Sequence, residues 1–292
     1  MNRKRLALLL PLAVVSVAVI GYHTIFKLPQ SPQLTTVSGQ SSQLEVSTNQ
    51  GQPELTCFES QTAEPIDLNG QINLLVWNIY KQNRSNWQQI SQEITQDKQL
   101  LLFQEASMTD ALKAWINQDN WSGNLVDAFK AFDTSAGVLN LAHQLPIKAC
   151  AYTELEPWLR LPKSALYAEY ALSNGQSLAV VNIHAVNFTY GTEEYHRQLS
   201  TLANALKQHQ GPMIVAGDFN SWSEQRMLVM REVLESVGVI EASLQPDNRT
   251  QFVTGLPLDH LFYRGLALET AKASITDASD HNPIEARFSI EQ

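Results

Sequence analysis

The sequence predicts an α+β body: a two-layered core of packed β-sheets flanked by helices. Three observations carry this. Apolar runs of four to six residues (72–77, 100–103, 213–216) have the length and composition of strands buried on both faces. Stretches with helical spacing lie between them. Strand candidates outnumber helix candidates, which points to sheets packed on each other with helices outside.

The body begins near Gln71. Its first strand candidate, 72–77, is followed by helical spacing at Trp87, Ile90 and Ile94. The run 100–103 reads as a fully buried strand, and Thr109 is placed to cap a helix that extends through Ile116. Gly137, Val138 and Leu139 form a short strand. Residues 165–172 and 178–184 read as paired strands around the turn Ser173-Asn174-Gly175-Gln176. An amphipathic helix over 195–209, a buried strand at 213–216 and a helix over 225–237 follow. Strands at 258–263 and 284–290 close the body.

Composition bounds the function. The chain has 292 residues, 44% of them apolar and 17% charged, which fits a packed body and excludes a disordered one. Net charge is −9, and from Gln71 onward 16 Lys/Arg face 24 Asp/Glu. A basic face for nonspecific grip on duplex nucleic acid is therefore not expected. The two cysteines, Cys57 and Cys150, lack zinc spacing and are read as unpaired thiols. A disulfide between them requires an oxidising compartment.

The N-terminus reads differently. Arg3, Lys4 and Arg5 precede an apolar run from Leu6 to Phe26 that contains no Asp, Glu, Lys or Arg. Its length suffices to span a bilayer, and the basic cluster places the N-terminus in the cytoplasm with the body outside. Residues 1–28 are thus expected as a signal anchor in the inner membrane. A cleaved signal peptide, with a secreted or periplasmic body, is the second reading, and a buried helix of a cytoplasmic protein the third. Residues 29–70 include a Gln-, Ser-, Thr- and Pro-rich stretch to about Pro53 and read as a flexible linker. Residues 71–290 form the domain.

Polar residues gather at strand ends. Runs of apolar residues end in Asn78, Glu105, His184, and the pair Asp218 and Asn220. One polar strand end is usually a turn. Several, all of types that bind metal or phosphate, point to a site. Asp218 and Asn220 stand two apart, so in extended chain they face one side. The carboxylate can orient or deprotonate a water and the amide can donate to a phosphoryl oxygen. The competing reading is an Asx-turn. Asp280 and His281 are adjacent and diverge, so one can face a metal and the other the phosphoryl group. Asp259 is the candidate that fixes the second ring nitrogen of His281; His260 packs or points away. Glu105 is the leading metal ligand, with Asn78 a second oxygen ligand or an orienter. Such hard oxygen donors suit Mg²⁺ or Mn²⁺.

Taken in order, Trp77-Asn78, Gln104-Glu105, Gly137-Val138-Leu139, Asn182-Ile183-His184, Gly217-Asp218-Phe219-Asn220, Leu258-Asp259-His260 and Ser279-Asp280-His281 resemble the endonuclease/exonuclease/phosphatase superfamily. The segments 76–81 and 182–188 look most like its YafD-type bacterial branch. The resemblance implies a four-layer α/β/β/α sandwich. It implies that Glu105 ligates Mg²⁺ with help from Asn78 and Asp280, that Asp218 aligns or activates water, and that Asn220 and His184 hold the scissile phosphate. His281, paired with Asp259, would stabilise charge on the phosphoryl oxygens.

Three functions compete at this stage. One is a nuclease-like phosphodiesterase acting on nucleic acid, with Lys81, Arg84, Arg160, Lys163 and Arg197 as candidate cleft cations. Another is a membrane-proximal esterase of lipid or inositol phosphates. The last is a non-catalytic binding module, disfavoured because every acidic and histidine position is kept. No protein partner is inferable.

Overall fold

Alternation along the central strands sets the layering. In β5 (Gln71–Asn78), Ile72, Leu74 and Val76 turn to one side and Leu75 and Trp77 to the other, all buried. Successive side chains of a strand point to opposite faces, so this strand needs cover on both. In the computed structural model, which describes residues 21–22, 24–38, 41–47, 56–60 and 63–290, a second sheet covers one face and helices cover the other.

The first sheet runs β15 (Leu266–Ala273), β16 (Ile284–Ile290), β5, β6 (Leu100–Ser107), β8 (Thr134–Ala142), β7 (Ser122–Ala131), β2 (Gln33–Ser38), β3 (Ser41–Ser47), with β1 (Phe26–Lys27) also on β7. The second runs β13 (Ile240–Glu241), β14 (Asp259–Arg264), β12 (Met213–Asp218), β11 (Ser177–His184), β10 (Pro162–Ala171), β9 (Lys148–Leu155), β4 (Thr56–Glu59). Between them lies a core that includes Leu74, Val76 and Leu102 from one sheet and Val180, Ile214 and Ala216 from the other.

Helices close the outer faces. On the first sheet, α1 (Trp87–Thr95) and α2 (Asp110–Gln118) contribute Trp87, Leu112 and Trp115 to the packing on Trp77 and Phe103. On the second, α3 (Glu193–Leu206) and α4 (Glu224–Glu235) pack Tyr195, Leu199, Met227 and Met230 on Val181 and Val215. The expected cap is present: the Thr109 side chain accepts from Leu112 N–H. The result is the α/β/β/α sandwich implied by the resemblance.

Several expectations need correction. Part of the expected linker 29–70 is sheet: β2 pairs with β7 along its whole length and buries Leu34 and Val37, and β4 pairs with β9. Both strands gain their backbone hydrogen bonds from partners distant in sequence, which local composition does not reveal. Cys57 stands opposite Cys150 in the β4–β9 register and the two form a disulfide, so the expectation of free thiols fails. Their sequence separation of 93 hides that proximity in the sequence. Residues 1–20 and 23 of the expected anchor lie outside the described residues. Phe26 and Lys27, at its end, belong to the folded body through β7. Among the described residues, no helix is long and apolar enough to cross a membrane.

Candidate active site

Strand register assembles the centre. In the second sheet His184 of β11 lies beside Asp218 of β12, and Asp218 beside Asp259 of β14. Gly217 makes this pairing feasible. Its φ is +139°, and a Cβ there would sit 2.1 Å from the Ile183 carbonyl oxygen, so a side chain is excluded. In the first sheet the parallel pair β5–β6 aligns Asn78 with Gln104, and Glu105 follows. Both sheets therefore present these ends at one edge.

Asp218 joins the two halves. Its Oδ2 accepts from Asn78 Nδ2 at 3.0 Å, and its Oδ1 accepts from the backbone N–H of Asn220 at 2.9 Å. The second contact is the Asx-turn that competed with the functional reading. The two coexist, because the carboxylate has a second oxygen for the site. That oxygen lies 3.3 Å from His184 Nε2 and 3.9 Å from His281 Nε2.

His281 is held from several sides. Its Nδ1 is 2.7 Å from Asp259 Oδ2, its carbonyl accepts from Trp77 Nε1 at 2.8 Å, and its N–H donates to Ser279 Oγ at 3.2 Å. Ser279 Oγ in turn donates to the Asn78 carbonyl at 2.6 Å. His260 turns away, with Nδ1 2.6 Å from Glu241 Oε1 and Nε2 2.8 Å from Ser221 Oγ.

The electrostatics divide the two site histidines. Burial lowers the pKa of both. For His281 the carboxylates of Asp259 and Asp218 prevail and push it up to about 10, so it carries charge at neutral pH. For His184 no such rescue exists. Burial and the Lys163 ammonium hold it well below its ordinary value, and it is neutral. Its Nε2 lies 2.7 Å from Lys163 Nζ and so accepts from that ammonium. Burial raises Asp218 to about 6, against the pull of His281. Glu105 is lowered despite burial, because Lys81 and Lys163 face it.

Backbone strain concentrates here. Tyr80, Lys81, Gln82, Glu105 and Asn220 all have φ between 46° and 56°. Such conformations cost on the order of 1–3 kcal/mol each and persist where surrounding structure imposes them. Glu105 sits where the β6–β8 register slips between Phe103 and Ala106, a bulge that re-aims its side chain. The left-handed turn 80–82 puts the Lys81 ammonium onto the Glu105 carboxylate.

The structure treats the other expected residues less uniformly. Asn220 commits Nδ2 to the Ala185 carbonyl at 2.9 Å. Asn78 donates its amide N–H to Asp218 and accepts from Tyr80 N–H at 3.1 Å, so it orients Asp218 while its Oδ1 keeps a second lone pair. Asp280 is exposed beside the centre, with Oδ1 3.3 Å from Ser279 Oγ. Of the candidate cleft cations, Lys81 and Lys163 reach the site. Arg197 instead pairs with Glu154 at 2.5 Å, and Arg84 lies over the Tyr80 ring.

Arg226 escaped the sequence reading. Its Nη1 donates to the carbonyls of Val186 and Asn220 at 2.7 and 3.0 Å, and its Nη2 to Asn187 O and Thr189 Oγ1 at 2.8 and 3.0 Å. The guanidinium also stacks on Tyr195 and Trp222. One signal was present: Arg226 shares the buried face of α4 with Met230, Val233 and Leu234, at helical spacing.

Two donor sets can be weighed for a metal. Ligand atoms of Asp218, Asp259 and His281 lie within 4.8 Å of one another. However, His281 Nδ1 is already bonded to Asp259, so joining both to one ion would break the contact that orients the ring. Glu105 fits better. It is a hard carboxylate, mostly buried, that already draws one cationic group, Lys81, onto itself. Exposed Asp280 supplies a second oxygen donor at the same edge.

A two-sheet sandwich whose strand ends gather carboxylates, a neutral and a charged histidine and two lysines defines a hydrolase of the phosphoesterase class. The chain belongs to the endonuclease/exonuclease/phosphatase family, whose model matches residues 75–281. A UPF0294 protein of Vibrio vulnificus (strain YJ016) is 54% identical over 288 residues, covering 99% of this chain and 98% of that protein. The fold is similar to that of an endonuclease/exonuclease/phosphatase from Beutenbergia cavernae DSM 12333, with TM-score 0.59 and 14% identity over 76% of this chain and 72% of that one. It is also similar to the human Nocturnin catalytic domain with bound sulfate anion, with TM-score 0.57 and 17% identity over 77% and 96%.

Proposed function

We propose that this chain is a Mg²⁺-dependent phosphoesterase that hydrolyses a phosphodiester by in-line attack of water. The observation that carries this is the surroundings of Asp218 Oδ2: neutral His184 at 3.3 Å, charged His281 at 3.9 Å, and Glu105 across from His184 at 3.9 Å. A base, an imidazole that positions a lysine ammonium, a fixed positive charge and a metal-binding carboxylate then share one edge. Asp218 aligns the water and accepts its proton. His184 accepts from Lys163 and so positions that ammonium for the phosphate, while Asn220, bonded to Ala185 O and Asp218, fixes the turn that carries the base. His281, fixed by Asp259, faces the oxygens where negative charge grows. Glu105 and Asp280, with Asn78 orienting Asp218, hold Mg²⁺ or Mn²⁺, which when bound supplies positive charge to the phosphoryl oxygens.

Chelation is the direct check. Hydrolysis of methyl p-nitrophenyl phosphate by the purified protein is expected to stop with EDTA and return with Mg²⁺. Glu105→Gln is expected to raise the Mg²⁺ concentration for half-maximal rate about 10-fold or more. A rate indifferent to chelation sinks the metal part of this reading.

We also propose that the body lies outside the cytoplasm, anchored through its N-terminal segment. The Cys57–Cys150 disulfide supports this, since such bonds persist in oxidising compartments. The basic residues before the apolar run support it too. An alkaline phosphatase reporter fused after Gln292 should be active in cells; an inactive fusion present at normal levels overturns the topology.

A further inference from the structure

One feature of the centre is not needed to cleave a phosphate ester. A cavity of about 380 Å³ opens from it. Lys81, Glu105, Lys163 and His184 line one end. The rest is mostly apolar, walled by Phe26, Phe129, Leu159, Leu161, Pro162 and Phe188, with the polar Glu156 and Ser164 among them. The size suits a small-molecule site, and the mix of broad apolar wall and few convergent polar groups is what such sites use to orient a ligand.

The rim extends the apolar surface outward. Trp158 and Tyr190 are 56% and 87% exposed, with ring centroids 4.7 Å apart. Leu159 and Phe188 are each half exposed. Large apolar side chains gathered on two loops at one mouth mark an interaction surface rather than scattered exposure.

We infer that the substrate is a phospholipid, with its phosphodiester at the polar end and an acyl chain in this groove; the inference rests on the phosphoesterase reading above. Three arguments favour it. The occupant must carry a phosphoryl group at one end, because the cavity wall contains the proposed phosphate and metal residues. It must be largely apolar beyond that, because the other polar side chains of the wall, Glu156 and Ser164, already accept from Asn187 N–H and Val138 N–H, and the remaining side chains cannot bond base edges or the hydroxyls of a sugar or inositol. A net charge of −9, with two lysines at the polar end, suits one phosphate better than a polyanion.

The chain path supplies a separate argument. Phe26 is the last residue of the apolar run that begins at Leu6, and it is also a wall of the groove. It stacks edge-on to Phe129, and Lys27 pairs with Asp133 at 2.5 Å. With the run in a bilayer, the groove opens where lipid is. In the reaction, water's oxygen joins phosphorus, one P–O ester bond breaks, and the departing alcohol takes a proton. No oxidant or reductant is needed.

The test uses the full chain with Mg²⁺ and a series of alkyl p-nitrophenyl phosphates with chains of one to eight carbons, each below its micelle concentration. kcat/KM is expected to rise with length, by up to about fourfold per buried methylene, until the groove is full. Leu161→Asn and Phe129→Ser are expected to flatten the rise while leaving the methyl ester rate unchanged. Phosphatidylcholine vesicles should be cleaved in preference to a single-stranded oligonucleotide. A flat series with the methyl ester still cleaved, or preference for the oligonucleotide, overturns the groove and leaves the phosphoesterase standing. No cleavage of any member overturns both. The wild-type series stands even if a variant fails to fold.

Discussion

Asp218→Asn is expected to lower kcat for a soluble phosphodiester by about 10³-fold or more, with the fold intact. The amide keeps the shape, but its single oxygen can accept from only one of Asn78 Nδ2 and Asn220 N–H, and it cannot take a proton from water. The carboxylate's charge also helps keep His281 protonated. The variant therefore removes a base and weakens a charge aimed at the phosphoryl oxygens. His281→Ala should cost a similar factor, because it deletes that charge and leaves Asp259 without its partner. The double variant should fall well short of the product of the two, since groups that share one oxygen act as a unit. Thermal melts must show folded protein in each case. Undiminished kcat in either single variant sinks the assignment.

Arg226→Met is expected to destabilise the protein by about 3–5 kcal/mol, through carbonyls rather than through charge pairing. Methionine approximates the length of arginine but offers no donors. The carbonyls of Val186, Asn187 and Asn220 would then be left without this partner. Each buried orphan costs about 1–3 kcal/mol. Lysine should not rescue, because one ammonium cannot reproduce the planar fork. Activity should fall as well, about 100-fold well below the melting temperature, since the loop after His184 and the turn at Asn220 share this anchor. Urea unfolding and kcat/KM report the two effects separately. A midpoint equal to that of the wild type means the clamp has no role in stability.

These two residues show what was legible. Asp218 stands in an apolar run that ends in Gly-Asp-Phe-Asn, and that pattern alone marks a strand delivering a carboxylate to a sheet edge. Arg226 stands in a helix whose other buried residues are apolar. Its helical phase showed that it is buried, but its partners Val186 and Asn187 lie 40 and 39 residues away, outside its helix. The same contrast holds for strands. β5, β6 and β12 are apolar on both faces, so their sequences announce them. β7, β9 and β15 mix polar and apolar residues, and β2 borrows its partner from residues 122–127. Such strands exist because of what lies beside them.

By itself the sequence determined the central strands, the capped helix after Thr109 and the set of acids and histidines. Residue type and two- or 3.6-residue periodicity are local properties. Only the tertiary structure decided how that set divides. Register placed His184, Asp218 and Asp259 at one level, making one histidine neutral and the other charged. Burial and neighbouring charge set those states, and both are properties of packing. Packing likewise bonded Asn78 to Asp218, joined Cys57 to Cys150, and drew Phe26 into the wall of the cavity beside Glu105. Each depends on chain segments distant in sequence meeting in space, which no local pattern encodes.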